Sequence, residues 1–122
     1  MTTSLPQGFR GAGISAGIKS SGLKDLTLIV NEGPQLFGTA VFTTNQVVAA
    51  PVTWTRQIIK DQTVAAVLLN SGCANACTGP DGFADTHRSA EKAAEVLGIS
   101  ASDVGICSTG LIGMRLPMLS KT

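Results

Sequence analysis

The sequence predicts a mixed α/β domain in which helices are layered against a central β-sheet. A nearly continuous apolar run, Val64 to Leu69, has the length and composition of a strand buried on both faces. Between Phe83 and Leu97, apolar residues recur at steps of four and three, which is the spacing of one helical face. Val104 to Cys107 predicts a further strand. A strand, a helix and a strand in succession are typical of layered α/β architecture, but they leave the strand order open.

The first half of the chain predicts shorter elements joined by turns. Asp25 to Val30 and Gly38 to Thr43 have the pattern of strands, and the turn residues Asn31 to Pro34 would join them into an antiparallel hairpin. The other predicted features are a short strand at Gly13 to Lys19, an extended piece from Pro51 to Trp54, a helix over Arg56 to Lys60 with Thr55 as its N-cap, Gly98 as the stop of the long helix, and one short turn at Ser100 to Asp103.

The composition is that of a folded, weakly charged polypeptide. Hydrophobic residues make up 43% of the 122 residues, charged residues only 14%, and the formal net charge is +1. This length suits a single domain or a partial domain, and the scarcity of charge suggests that other polypeptide covers some of the surface. No basic surface for nucleic acid and no membrane-spanning or targeting segment is visible, so we expect a cytoplasmic protein. Its three cysteines are expected to be free thiols.

A segment rich in small residues, Asn70 to Gly79, follows the apolar run and precedes the long helix. Loops that leave strand ends in α/β proteins often carry ligand-binding groups, and the side-chain amides of Asn70 and Asn75 could contact a substrate. The same residue types also form turns in which Asn and Gly satisfy their own backbone. Composition alone leaves both interpretations open.

A second polar segment, Cys107 to Gly113, leaves the last predicted strand. Ser108 and Thr109 supply hydroxyls there, and Gly110 supplies an unobstructed N–H. A hydroxyl beside such an amide can bind an anion or stabilise an oxyanion. An ordinary polar turn at the end of a strand is the alternative.

Other motifs give weaker indications of chemistry. Cys73, Cys77 and His87 have part of a zinc-ligand spacing, but no fourth ligand is evident and His87 falls on the apolar helix face, so we expect no metal. Cys107 lacks an evident neighbouring base and is expected to be a buried apolar side chain instead of a nucleophile. The glycines from Gly8 to Gly13 follow no predicted strand and lack the Lys-Ser/Thr of a phosphate-binding loop.

The two polar segments, together with motifs along nearly the whole chain, resemble the α segment of the ornithine acetyltransferase family. The matching motifs, in chain order, are Gly8-Phe9, Gly17-Ile18-Lys19, Asp25-Leu26, Asn31-x-Gly33-Pro34, Val41-Phe42-Thr43-x-Asn45, Ala49-Ala50-Pro51-Val52, Asn70 to Gly79, Ser108 to Gly113 and Leu116-Pro117-Met118. Several motifs in the family's order are far more specific than any one alone. Cys73 departs from the family, which more often has Asn or Gly at that position.

The resemblance implies an N-terminal-nucleophile-like fold and an enzyme of arginine biosynthesis. Members are made as one precursor that cuts itself before a Thr, and the resulting α and β chains stay together, usually as an α2β2 assembly. The new N-terminal Thr takes the acetyl group from N-acetylornithine and passes it to glutamate through a covalent intermediate. Some members also use acetyl-CoA as the acetyl donor, and no cofactor is implied. Thr109 and Gly110 would form the oxyanion hole.

The same resemblance implies that residues 1–122 are the N-terminal portion of the α segment. The family's later α-chain motifs, a Met-Thr-Thr-Asp sequence and a Lys near the cleavage site, are not found, and neither is the nucleophilic Thr. Thr122 lies in the wrong motif to replace it. We therefore expect this segment to be inactive alone, with most substrate contacts and the β chain lying elsewhere. Two other hypotheses are a related self-cleaving aminopeptidase and a non-catalytic assembly module.

Overall fold

The computed structural model describes residues 4–117, in which a four-stranded sheet packs against two α-helices. The strands are β1 (Phe9–Ile14), β2 (Leu26–Asn31), β3 (Ala66–Cys73) and β4 (Val104–Leu111), and the helices are α1 (Ala50–Ile58) and α2 (Gly79–Leu97). Short 3-10 turns occupy Ile59–Asp61 and Ala101–Asp103. The predicted mixed α/β class is confirmed. Neither helix within residues 4–117 has the length and apolarity to cross a membrane.

The sheet has the order β1-β2-β3-β4, and α2 connects its only parallel pair in the described part of the chain. β2 is antiparallel to both β1 and β3. Leu28, Leu68 and Ile106 are in register across β2, β3 and β4, so their side chains share the face that α2 covers. The buried core on this face is Ala66, Ala90, Ala93, Ala94, Val104 and Ile106. The alanines of α2 allow the helix to lie close to the sheet.

The strand predicted at Gly38 to Thr43 is wrong, because both edges of β2 already have partners. β1 pairs with one edge and β3 with the other, so a hairpin between β2 and the later segment has no place to form. Only an isolated bridge between Phe37 and Thr63 remains there. Val41 is 98% exposed. The turn predicted at Asn31 to Pro34 is confirmed, since Asn31 Oδ1 accepts a hydrogen bond of 2.9 Å from the Gly33 N–H.

The strand predicted at Gly13 to Lys19 begins and ends earlier, because the carboxylate of Asp25 binds backbone amides that come after the end of β1. Asp25 Oδ1 accepts from the Ala16 N–H at 2.7 Å, and its Oδ2 accepts from Ile18 and Lys19 at 2.7 and 2.8 Å. These amides therefore wrap around one side chain instead of pairing with a strand. Asp25 is buried, which the sequence pattern did not suggest.

The extended piece predicted at Pro51 to Trp54 and the N-cap role predicted for Thr55 are both wrong. α1 begins at Ala50, with Pro51 in its first turn, where the fixed φ of proline and its missing N–H are tolerated. Thr55 lies inside the helix, and its hydroxyl contacts the backbone of Ile106 in β4. The side chain that resembled a cap therefore joins α1 to the edge of the sheet.

The later elements are longer than predicted. β3 and β4 continue to Cys73 and Leu111, so much of the two polar segments is strand. α2 begins at Gly79, and Gly98 ends it in the left-handed region at φ 69°, as predicted. The short turn predicted at Ser100 to Asp103 is also confirmed. The expectation that Val64 to Leu69 is buried on both faces is wrong, because Val67, Leu68 and Leu69 are only half-buried.

Candidate functional site

The polar ends of β3 and β4 lie side by side in the parallel pair. Asn70 is opposite Ser108, Ser71 is opposite Thr109, and Gly72 is opposite Gly110. The two segments singled out from the sequence therefore form one site at the carboxyl ends of neighbouring parallel strands. Such edges are where α/β proteins place reactive and ligand-binding groups.

Gly110, near the end of β4, has a backbone conformation that other residues rarely adopt. Its φ is 131°, and a Cβ at this position would lie 2.5 Å from the Gly72 carbonyl carbon and 2.6 Å from the Cys73 amide nitrogen. Gly72 is also at positive φ, at 109°. The absence of a side chain on Gly110 allows the two backbones to approach each other closely, whereas a Cβ on Gly72 would meet Ile18 and Lys19 instead.

Thr109 presents an exposed hydroxyl beside this close contact. Val104 and Ile106 face α2, so the alternation of a strand places Thr109 on the opposite face of the sheet. Within residues 4–117 its side-chain oxygen makes no hydrogen bond. The hydroxyl is therefore available to donate to a bound group.

The backbone groups of β4 alternate between β3 and the open edge. Asp103 and Leu111 direct their carbonyls to β3, where they accept from Ala65 and Ala74 at 2.8 and 2.9 Å. Even-numbered positions face the other way, as when Ile106 bonds the Thr55 hydroxyl of α1 through its N–H and its carbonyl, both at 3.1 Å. Gly110 continues the even-numbered series. Its N–H is accordingly expected on the side away from β3, beyond the part that α1 covers.

A buried hydrogen-bond network holds the segment that links β3 to α2. Asn75 is 3% exposed, and its Nδ2 donates to the Gly82 carbonyl at 2.8 Å and to Thr86 Oγ1 at 2.9 Å. Its backbone N–H donates to Ser108 Oγ at 2.9 Å, and Thr78 Oγ1 donates to its Oδ1 at 2.5 Å. This network ties the start of α2 to β4.

A groove lies on the α2 side of the sheet, away from Thr109. It has a volume of about 790 Å³ and runs between α2 and the first two strands. Ile14, Leu26, Leu28 and Leu68 give it a mainly apolar lining. Neither Thr109 nor Gly110 contributes to that lining. The groove is therefore separate from the candidate site at the strand ends.

The ArgJ family model matches residues 10–121. The chain belongs to the ArgJ family. Among curated relatives named arginine biosynthesis bifunctional protein ArgJ, that of Streptomyces coelicolor is 59% identical over 118 residues, which cover 97% of this chain and 31% of the relative. That of Mycobacterium tuberculosis is 58% identical and covers 93% of this chain and 29% of the relative. The chain thus spans about a third of these proteins and lies in their N-terminal part.

Two solved structures contain the fold of this chain. The ornithine acetyltransferase of M. tuberculosis, crystallised in complex with ornithine, superposes with a TM-score of 0.91 at 58% identity. The match covers 93% of this chain and 61% of that one. The bifunctional protein of Bacillus halodurans gives a TM-score of 0.86 at 42% identity, covering 92% and 58% of the two chains.

In this ArgJ-family chain, the two asparagines predicted as loop contacts are held inside the protein. Asn75 makes the network described above, and Asn70 Nδ2 donates to the Cys73 carbonyl at 2.9 Å. Asn70 is 9% exposed. Both side chains border the apolar groove. Their role as substrate contacts stays a prediction, whereas their structural role at the turn is directly visible.

The predicted surroundings of two other residues are wrong. Cys107 is exposed, because it lies on the sheet face that no helix of residues 4–117 covers. Partial desolvation still raises the pKa of its thiol, which disfavours a reactive thiolate. His87 is not in the core: its side chain is 50% exposed, and its ring packs 5.0 Å from that of Trp54 at the edge of α2. No cluster of three or more metal-binding side chains occurs in the described part of the chain.

Sequence reasoning missed an ion-pair cluster between α2 and the segment after β4. The buried side chain of Asp85 contacts Arg88 and Arg115, and Asp81 lies 3.6 Å from Arg115. Hydrogen bonds to Asp85, and its charge, raise the pKa of the Arg115 guanidinium. No spacing rule connects residues 30 positions apart, so the sequence carried no signal for this pair.

Proposed function

We propose that this chain forms the oxyanion-binding part of an acetyltransferase site within a longer enzyme of arginine biosynthesis. The complete enzyme would transfer the acetyl group of N-acetylornithine to glutamate through an acetyl-threonine. Membership of the ArgJ family supports this activity, as do the ornithine acetyltransferase name and bound ornithine of the M. tuberculosis protein. The nucleophilic Thr would be supplied by a part of the protein outside this segment.

The proposed reaction needs a donor wherever negative charge develops. The Thr hydroxyl oxygen would bond to the acetyl carbon, while the carbonyl electron pair moves to its oxygen. When the carbonyl reforms, the C–N bond breaks, and ornithine leaves with the proton that the hydroxyl released. The amine of glutamate then attacks the ester carbonyl carbon, the C–O bond to Thr breaks, and N-acetylglutamate leaves while the Thr oxygen regains a proton from the amine. Both half-reactions pass through an oxyanion, which fixed donors stabilise strongly.

Thr109 and Gly110 carry the proposal because they are adjacent exposed residues near the end of β4, and each has a hydrogen-bond donor. The Thr109 hydroxyl has no partner within residues 4–117, so it need not break an internal bond to donate. Gly110 continues the series of β4 residues whose backbone faces the open edge, and its close contact with Gly72 fixes its position. Donors that are already in place cost no reorganisation during the reaction.

Other features support assembly with further polypeptide. Ile29, Val67 and Leu69 share the sheet face opposite α2, where the described residues leave each of them only half-buried. The β chain of the same precursor, produced by self-cleavage, is the proposed partner, in an α2β2 assembly. Acetyl-CoA would be an alternative acetyl donor, and no cofactor is required. We propose the cytoplasm as the location of the enzyme, where small biosynthetic substrates are available.

The test is the turnover number of the complete, self-processed enzyme carrying Thr109→Ala. Loss of one oxyanion donor costs about 10²–10³ in kcat, and KM should change less, because the bond strengthens mainly in the transition state. Thr109→Ser keeps a hydroxyl and should be milder. Thr53→Ala, at an exposed helix position, is the matched control. A loss below about threefold for Thr109→Ala would mean that the hydroxyl is not an oxyanion donor.

A further inference from the structure

Asp85 is a buried carboxylate that the proposed chemistry does not use. Its side chain is 2% exposed, and it lies on α2. Its Oδ1 accepts from Arg88 in the next turn of the same helix. Its Oδ2 accepts twice from Arg115, from Nε at 3.2 Å and from Nη2 at 2.8 Å. A buried carboxylate is costly without partners, so this pairing is strongly maintained.

We propose that Asp85 is a positioning residue that, through Arg115, fixes the segment after β4 and thereby orients Thr109 and Gly110. This inference rests on the proposed function, since it assigns Asp85 a task only if those two residues act on substrate. Asp85 itself does not touch the reacting atoms. Its carboxylate is a fixed point on α2 to which the strand end is attached.

The segment after β4 is held at two adjacent residues. Arg115 is held by Asp85, and the Met114 carbonyl accepts from Cys73 Sγ at 2.8 Å. Cys73 directly follows Gly72, against which Gly110 packs. Only Leu111 to Met114 lie between Gly110 and Arg115, so the five Cα–Cα steps from one to the other span at most about 18 Å. Two features therefore restrict the proposed oxyanion-hole residues. One is the packing of Gly110 against Gly72, and the other is the short segment that ends at the anchored Arg115.

The two arginines on Asp85 differ in what they connect. Arg88 is three residues away on the same helix, so its ion pair leaves the segment after β4 unconstrained. Arg115 joins α2 to that segment. The two arginine side chains are similarly exposed, at 58% for Arg88 and 51% for Arg115. Substitution of either arginine removes one positive charge and leaves Asp85 with the other partner, so the pair forms a matched comparison.

The experiment measures acetyl transfer by the complete, self-processed enzyme carrying Arg115→Gln, with Arg88→Gln as the control. We expect Arg115→Gln to lower kcat roughly 10- to 100-fold with little change in KM, because small displacements of catalytic groups are costly. Arg88→Gln should stay within about twofold of the wild type. Arg115→Lys keeps the charge but loses the planar arrangement of donors that arginine offers. Its kcat should therefore be intermediate between that of Arg115→Gln and that of Arg88→Gln. Thermal unfolding of each variant reports its stability separately.

A double variant distinguishes positioning from a merely structural role. If Arg115 acts through the oxyanion hole, Arg115→Gln should lower kcat less in the Thr109→Ala background than in the wild type, because only the Gly110 donor is then left to be displaced. If kcat of the double variant falls by the product of the losses seen in the two single variants, the inference is overturned. Equal kcat for Arg115→Gln and Arg88→Gln would also overturn it, even if stability fell. Failure of the proposed function is a separate result, seen when Thr109→Ala alone retains activity.

Discussion

Gly110 and Gly72 lie opposite each other where β3 and β4 end, and the space between their backbones is too small for a side chain on Gly110. The position of a Cβ on Gly110 would be 2.5 Å from the Gly72 carbonyl carbon. The Gly110 backbone therefore packs directly against the backbone of Gly72 and Cys73. Such a contact has no rotamers to change, which suits an amide that must remain in one orientation.

Gly110→Ala should destabilise the protein more than Gly113→Ala. Both glycines have φ near the same value, 131° and 124°, which costs an L-residue about 1–3 kcal/mol. A Cβ at Gly113 meets nothing within 4 Å, whereas one at Gly110 overlaps backbone of Gly72 and Cys73. The difference in unfolding free energy between the two variants therefore measures the close contact. The measurement is thermal or urea unfolding of the full-length protein. If Gly110→Ala and Gly113→Ala lower the unfolding free energy equally, β3 and β4 accommodate the added Cβ at no cost.

Thr55→Val should destabilise the junction between α1 and β4. The hydroxyl of Thr55 accepts from the Ile106 N–H and donates to its carbonyl, so valine would leave two backbone groups without partners. The expected cost is about 1–3 kcal/mol. Thr53→Val, on an exposed position of the same helix, is the control and should stay within about 0.5 kcal/mol of the wild type. Similar unfolding midpoints for the two variants would contradict this role of Thr55.

The sequence was sufficient to predict elements whose periodicity matches their environment. α2 was found because its apolar pattern faces a continuous core. The run from Val64 to Leu69 was recognised as a strand by its length and composition, although it is not buried on both faces. The Ser-Thr-Gly motif was predicted in a loop that leaves a strand, whereas Ser108 to Gly110 lie within the last residues of β4, where Gly110 has a conformation that favours glycine. These signals are local, so a single sequence carries them.

Features that depend on long-range partners could not be predicted. Gly38 to Thr43 has a strand pattern, but both edges of β2 are occupied by other strands. Thr55 has the residue type of a cap, yet its partner lies 51 positions later in β4. Asp85 and Arg115 are two ordinary charged residues until the fold brings them together. In each case a tertiary contact overrides the local preference.

Asp25 is the residue for which we predict a dependence of stability on pH. Hydrogen bonds from the backbone of Ala16 and Lys19 lower the pKa of its carboxyl in the folded protein, and the Ile18 N–H and the charge of Lys19 act in the same direction. In the acid range the unfolded chain therefore binds more protons than the folded protein at this group. Its stabilising contribution is present above the unfolded pKa of about 3.9 and is lost as the pH falls through the lower folded value.

Asp25→Asn should accordingly be less stable than the wild type near neutral pH, and the difference should narrow under acid conditions. An amide keeps one acceptor oxygen but places an NH₂ group where a carboxylate oxygen accepts from Ile18 and Lys19. Asp61→Asn is the control, because the Asp61 carboxylate accepts only from the Thr63 N–H within residues 4–117. The measurement is the urea midpoint of the full-length protein from about pH 7 to about pH 3. A difference between wild type and Asp25→Asn that stays constant over this range would show that the three amides do not favour the charged carboxylate.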